Sequence, residues 1–219
     1  MDTKKENQVS TIKKNYVAFS TEQKTLAVAK FNLRKGIRDG KLDIEDPSKL
    51  DLDYQFYDEY FLYEEAIKAA SEIGDGWRLP TREDFEFLVN NFKWGTVRIG
   101  TEYGLLFYNG YSDGYVTDIN SIDQLNRLLN NNHTDQVCCD VVLFPCKGQR
   151  NSNLTIFDAG SEGHYWTSTP HDYNTEFAYV FEFSHNKDID SQIYDCRLST
   201  SSLCFRESSR ISVRLVKDL

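Results

Sequence analysis

The hydrophobic positions of this chain change period partway along it. Short apolar runs open the pattern, over residues 16–19 and again over 26–33, where Ala27, Ala29 and Phe31 oppose Val28 and Lys30; both predict strands. From residue 63 to 73 the spacing turns helical, with Ala66, Ala70 and Ile73 on one stripe and Gly74 as a natural stop. The next helix is the best marked. Thr81 and Asp84 form a start resembling a capping box after Pro80, and Phe85, Leu88, Val89 and Phe92 fall at i, i+3, i+4 and i+7. A third helix is predicted from Ser121, with Gln124 three residues on, burying Ile122, Leu125, Leu128 and Leu129 and ending at residues 130–132.

Beyond this point the period becomes two. Residues 141–144 and 165–169 predict short buried strands. Phe177, Tyr179, Phe181 and Phe183 alternate with Ala178, Val180 and Glu182, giving an aromatic face and a mixed one, and Ile211, Val213 and Leu215 repeat the alternation near the end. Helices early and antiparallel strands late predict an α+β class. No internal repeat or domain boundary is visible, so residues 16–219 read as one domain behind a flexible tail over 1–15 that is rich in Lys, Glu, Asn and Thr. The acidic stretch 39–53 around Pro47 reads as a solvated loop.

Composition sharpens this in two ways. Fourteen Phe and thirteen Tyr against one Met predict a packed, sheet-rich interior with polar aromatic tips at its surface. A net charge of −9 argues against wrapping a phosphate backbone, which excludes nucleic acid as an expected partner. No window approaches the ~18 apolar residues of a membrane span, and no apolar run follows the basic start, so membrane insertion is not expected. The expected location is cytoplasmic or virion-associated, with surface display by another route.

Candidate chemistry is sparse. Cys138, Cys139, Cys146, Cys196 and Cys204 are odd in number and include a vicinal pair, which predicts free thiols rather than a disulfide framework. His133, His164, His171 and His185 lack zinc-ligand spacing. His164 and His171 flank the Trp166 strand and could meet Ser168, but nothing marks the acid or oxyanion hole that a hydrolase needs. The sequons at Asn132 and Asn153 read as accidental. No cofactor, catalytic residue or metal ligand is expected.

Four segments carry a resemblance. Gly76-Trp77-Arg78-Leu79-Pro80-Thr81 precedes an acidic helix. Gly148-Gln149-Arg150-Asn151-Ser152-Asn153, Gly163-His164-Tyr165-Trp166-Thr167-Ser168-Thr169 and Ser212-Val213-Arg214-Leu215-Val216 follow in order. Together they are similar to the landmarks of the Fibrobacter succinogenes major paralogous domain, a bacterial family, over residues 63–218. The resemblance implies a C-type-lectin-like fold, a twisted antiparallel sheet carrying two to three helices and long surface loops. It also implies that Trp77, Trp166 and Arg214 are core and loop-anchoring residues. The fold is related to that of the formylglycine-generating enzyme, which works through a cysteine pair. Cys196 and Cys204 lie in the corresponding third, but their surroundings do not match, so no enzyme is expected. The calcium signatures of sugar-binding C-type lectins are missing. Asn186-x-Asp188-x-Asp190 begins like an oxygen-ligand loop, yet Ser191 and Arg197 stand where Gly and a bidentate Glu belong.

A narrower resemblance is to the variable proteins of diversity-generating retroelements, bacterial or phage proteins that place hypervariable residues just before an ending like this one. It implies ligand binding by the stretch 173–210, where aromatic residues interleave with Ser and Asn as in recognition surfaces. The expected contacts are Tyr173, Tyr179, Phe181, His185, Asp188, Asp190, Tyr194, Cys196, Leu203 and Phe205. The function expected is non-enzymatic recognition of a protein or glycan, a phage or mobile-element receptor-binding protein being its sharpest form. The alternative is a structural or surface-scaffold component without a fixed ligand. Oligomeric state is left open.

Overall fold

The computed structural model describes residues 15–36, 42–43, 57–99, 102–109, 118–119, 140–185 and 196–219. In chain order the described elements begin with strands β1 (Tyr16–Ser20), β2 (Thr25–Ala29), β3 (Arg34–Gly36), β4 (Leu42–Asp43) and β5 (Tyr57–Asp58), then helices α1 (Tyr63–Ile73) and α2 (Arg82–Asn91). Strands β6 (Lys93–Ile99), β7 (Glu102–Asn109), β8 (Asp118–Ile119), β9 (Asp140–Pro145), β10 (Gln149–Arg150) and β11 (Ile156–Phe157) follow. The chain closes with β12 (Glu162–Pro170), β13 (Phe177–His185), β14 (Cys196–Phe205) and β15 (Val216–Asp218). Mostly antiparallel sheets with two helices among the described residues make the class α+β, mainly β. The helix expected over 121–129, Cys138 and Cys139, and most of the acidic stretch 39–53 lie outside the described residues.

Strand β15 pairs with β2, so the first and last described strands share one sheet, ordered β1-β2-β15. A second sheet runs β12-β13-β14, and a third β8-β6-β7-β9. The β6–β7 hairpin has no counterpart in the expected elements.

Local chemistry explains both helices. Thr81 Oγ1 accepts from the Asp84 N–H at 3.2 Å and the Asp84 carboxylate accepts from the Thr81 N–H at 2.8 Å, closing the expected reciprocal cap of α2. Helix α1 has Leu62 at its cap and only half of that device, the Leu62 N–H donating to Glu65 at 3.1 Å. It buries Tyr63, Ala66, Ala69 and Ala70, and stops at Gly74, whose φ of 71° belongs to the left-handed region.

Two hydrophobic clusters fill the interior. One gathers Phe19, Leu26, Phe85, Phe107, Phe144, Phe181 and Phe183 between α2 and three sheets. The other gathers Trp77, Trp166, Val180, Ile211, Val213 and Leu215 beneath α1. Strand β13 serves both: Phe181 and Phe183 enter the first, Ala178 and Val180 the second. The approach of β13 to β12 is close enough that a Cβ on Gly163 would stand 2.1 Å from the Phe183 ring, so only glycine fits.

The ending departs from the expected alternation. Residues 211–216 are all buried, Ser212 and Arg214 included. The segment threads between other strands, bonding through Leu215 O to the Ala29 N–H and through Val213 O to the Leu33 N–H, each at 2.9 Å. Arg214 donates to Ala29 O at 2.9 Å and Leu143 O at 2.6 Å, and lies over the Phe144 ring. Burial pushes its pKa down to about 10, which still leaves it charged at neutral pH. Trp166 is fully buried with its indole N–H donating to Phe61 O at 2.8 Å. Trp77 is also buried. Trp77, Trp166 and Arg214 are therefore all core residues.

A candidate recognition surface at one end of the β13–β14 ladder

The β13–β14 ladder carries most of the stretch expected to bind. Phe177 stands opposite Phe205, and Tyr179 opposite Leu203. Beyond Val180 the register shifts. Val180 faces Ser202 but Glu182 faces Ser199, so β14 carries one extra residue, a bulge that bends the strand.

The bulge separates two environments. On its far side Phe181 stacks on Phe85 of α2 at 4.3 Å and is fully buried, and His185 stacks on Tyr103 of β7 at 3.8 Å and is 8% exposed. These two expected contacts are corrected: α2 and β7 cover that half of the ladder and leave no room for a partner. On the near side Phe177 and Phe205 pack at 4.2 Å, with Phe205 50% exposed and Leu203 39%. Tyr173, in the turn before β13, is 93% exposed. The structure thus brings together Tyr173, Tyr179, Leu203 and Phe205. Asp188, Asp190 and Tyr194 lie outside the described residues, and Cys196 begins β14 opposite His185, at the covered end.

Three contributors were not expected. Half-buried Phe177 packs against the exposed Phe205 ring. His171 sets its ring 5.6 Å from Tyr179 and 6.1 Å from Tyr173. Arg82, from the first turn of α2, lies over the Tyr179 ring at 4.7 Å. Its Nε donates to Glu86 at 2.9 Å and its Nη2 to Ser201 Oγ at 3.0 Å, pinning the helix to β14. Phe177 was visible in the alternation itself; Arg82 carried no signal, because nothing local says that α2 ends against a strand more than a hundred residues later.

The patch rests on a stiff frame. Asp84 is 1% exposed and binds Arg78 at 2.5 Å and Lys24, while Arg78 also grips Asp218 of β15 at 2.9 Å. Burial alone would raise the Asp84 pKa, but hydrogen bonds from Arg78, Lys24 and Thr81 outweigh it and hold the carboxyl below its usual range. Lys24, Arg78 and Thr81 meet at this one carboxylate, and Arg78 extends the link to β15.

Elsewhere the chemistry disperses. Cys204 faces Ala178 and packs against the second core; burial pushes its thiol up to about 11, so it is a thiol and not a nucleophilic thiolate at neutral pH. His164 bonds Glu162 at 3.1 Å, His171 Nδ1 accepts from the Asn174 N–H at 3.1 Å, and Ser168 Oγ donates to Pro80 O at 3.4 Å. The three therefore hold separate partners rather than one another. Among the described residues no group of three or more His, Cys, Asp or Glu is placed to hold a metal ion. An open cleft of about 140 Å³ beside α1 is lined by Lys35, Leu42, Phe61, Glu65, Ala69 and Glu72, and exposes no aromatic ring of size comparable to the patch. The β10–β11 hairpin exposes Leu154, Ile156 and Phe157. No helix among the described residues is long and apolar enough to cross a membrane.

Comparison of the chain with protein-family models, with curated proteins and with solved structures gives no match in any of the three.

Proposed function

We propose that this chain is a non-enzymatic binding module with a C-type-lectin-like fold, recognising a protein or glycan through the near end of the β13–β14 ladder. The observation that carries this reading is the surface of exposed Tyr173, Leu203 and Phe205, with half-buried Phe177 packed on Phe205, on a ladder pinned to α2 through Arg82. Exposed apolar patches of this kind mark interaction sites more often than they mark accidents of packing. The fold assignment is supported by the pairing of the first and last described strands, by two flanking helices and by the buried Trp77, Trp166 and Arg214. Diversification by a retroelement is a further part of the proposal. It would have to spare Ala178, Val180, Phe181 and Phe183, which hold the two cores together.

The test is a selection on the full chain with a random-peptide display library and, in parallel, a glycan array. Both are repeated on a Tyr173→Ala/Phe205→Ser variant whose circular dichroism matches the parent. Ligands that bind the parent and lose the variant are expected. If neither format yields a ligand that depends on the patch, the binding reading is wrong.

A scaffold role is the second reading, favoured by the exposed Leu154, Ile156 and Phe157 of the β10–β11 hairpin. It predicts self-association that Ile156→Ser/Phe157→Ser abolishes in sedimentation velocity. A parent that stays monomeric at high concentration removes it.

A further inference from the structure

Resting on that reading of the patch, we infer that its partner is a protein surface presenting arginine or lysine side chains, and that the patch receives a cation between its aromatic rings and a rim of carboxylates. Charge complementarity points to such a partner. Among the described residues, the cations at this end of the ladder, Arg82 and Arg206, are already satisfied within the chain. Arg82 is held by Glu86 and Ser201 and covers Tyr179. Arg206 is held by Glu64 and by Thr175 O at 2.8 Å, and lies over the Tyr63 ring at 4.4 Å. The anions are not. Asp172 and Glu176 stand on the turn that also carries Tyr173, Glu207 stands on the turn following Phe205, and all three are exposed. None of the three makes an ion pair among the described residues.

The two turns are adjacent in space, since the Arg206 N–H donates to Glu176 O at 2.9 Å across the ladder end. The aromatic surface is therefore bordered by three carboxylates with no cation left among the described residues to neutralise them. A guanidinium or ammonium group seated there would meet a ring face and a carboxylate at once, the pairing that Arg82 and Arg206 already make inside the chain. The net charge of −9 draws a basic partner toward the surface from a distance and repels an acidic one. A neutral glycan would use the rings but gain nothing from the carboxylates.

The peptides selected on the full chain provide the test. Those that depend on Tyr173 and Phe205 should be enriched in Arg and Lys. One such peptide, labelled and titrated by fluorescence anisotropy, should bind an Asp172→Asn/Glu176→Gln/Glu207→Gln variant on the order of tenfold more weakly at low salt. That difference should shrink at about 0.5 M NaCl, where the screening length falls to a few ångströms. Patch-dependent ligands that are neutral peptides, acidic peptides or glycans would overturn the cationic inference while leaving the binding site standing. So would a basic peptide indifferent to the triple neutralisation. A selection with no patch-dependent ligand at all removes the site and the inference together.

Discussion

Phe177 and Tyr179 at one end of β13, and Phe181 and Phe183 at the other, project from the same side of one strand. The second pair is buried under Phe85, Phe144 and Tyr165; the first pair remains half-exposed at the edge of α2. The difference lies outside the strand. Helix α2 and β7 cover only part of the ladder's length, and the bulge in β14 falls near the boundary. An aromatic face is thus a material that the rest of the fold divides into core and surface. Substitutions along β13 should reproduce that division.

The largest effect is expected at the covered end. Phe181→Ala removes a ring packed among Phe85, Phe107, Phe144 and Phe183, and should cost about 3–5 kcal/mol in urea unfolding. Phe177→Ala should cost about 1 kcal/mol, since its ring keeps water on one side. Equal costs at the two positions would mean that the ladder is covered along its whole length and that the patch does not exist as a free surface.

Next comes the frame beneath. Asp84→Asn keeps the shape of the side chain but removes the charge that Arg78 and Lys24 share, and should cost about 2–3 kcal/mol, moderated because both cations are about one-third exposed and can rehydrate. The pH dependence has a definite sign. The Asp84 pKa is lower folded than unfolded, so its stabilisation is complete above the ordinary carboxyl value of about 3.9 and disappears as pH falls through the depressed folded value. Thermal midpoints measured from pH 6 downward should fall more steeply for the parent than for Asp84→Asn below about pH 4. Glu65, also held low by its bonds to Leu62 and Arg210 against burial, gives both proteins a residual slope. Parallel curves would show that Asp84 is not the clamp.

These positions also mark how far the sequence could be followed. The cap of α2 was legible because Thr81 and Asp84 lie three residues apart and bond each other; the information is local. The strand at 177–185 was legible from alternation alone. Which half of it is buried was not, because the covering groups, Phe85 and Tyr103, come from elements about eighty to a hundred residues earlier. The same limit misplaced Phe181 and His185 among the expected ligand contacts and hid the contact of Arg82 with Tyr179. Alternation at Ile211, Val213 and Leu215 did not show that Ser212 is buried as well; the ending is threaded between β2 and β12, where Arg214, expected in the core from the resemblance alone, finds carbonyls instead of water. In β6–β7 the pattern is broken by Gly95 and Gly104, the latter admitted because a Cβ there would stand 2.7 Å from the Leu143 side chain and 3.1 Å from the Phe144 carbonyl oxygen.

At the boundary itself, Tyr179 should behave as neither core nor free surface. Tyr179→Ala loses the ring under Arg82 and should cost about 1 kcal/mol, and a double-mutant cycle with Arg82→Ala should return a coupling of about 0.5–1 kcal/mol. A coupling near zero would detach α2 from the patch and leave the aromatic residues without a rigid support.

The smallest effect is the most telling for function. Tyr173 is 93% exposed, its ring touching only the edge of His171 at 6.1 Å, so it buries almost no area whose loss could unfold the protein. Tyr173→Ala should therefore shift stability by less than about 0.5 kcal/mol, within the range of ordinary surface substitutions. Phe205→Ser should cost somewhat more, about 1 kcal/mol, because half of that ring rests on Phe177. In the proposed function such a ring is free to meet a partner. If Tyr173→Ala instead lowers the thermal midpoint by several degrees, Tyr173 is part of the frame, and the recognition surface loses its most exposed member.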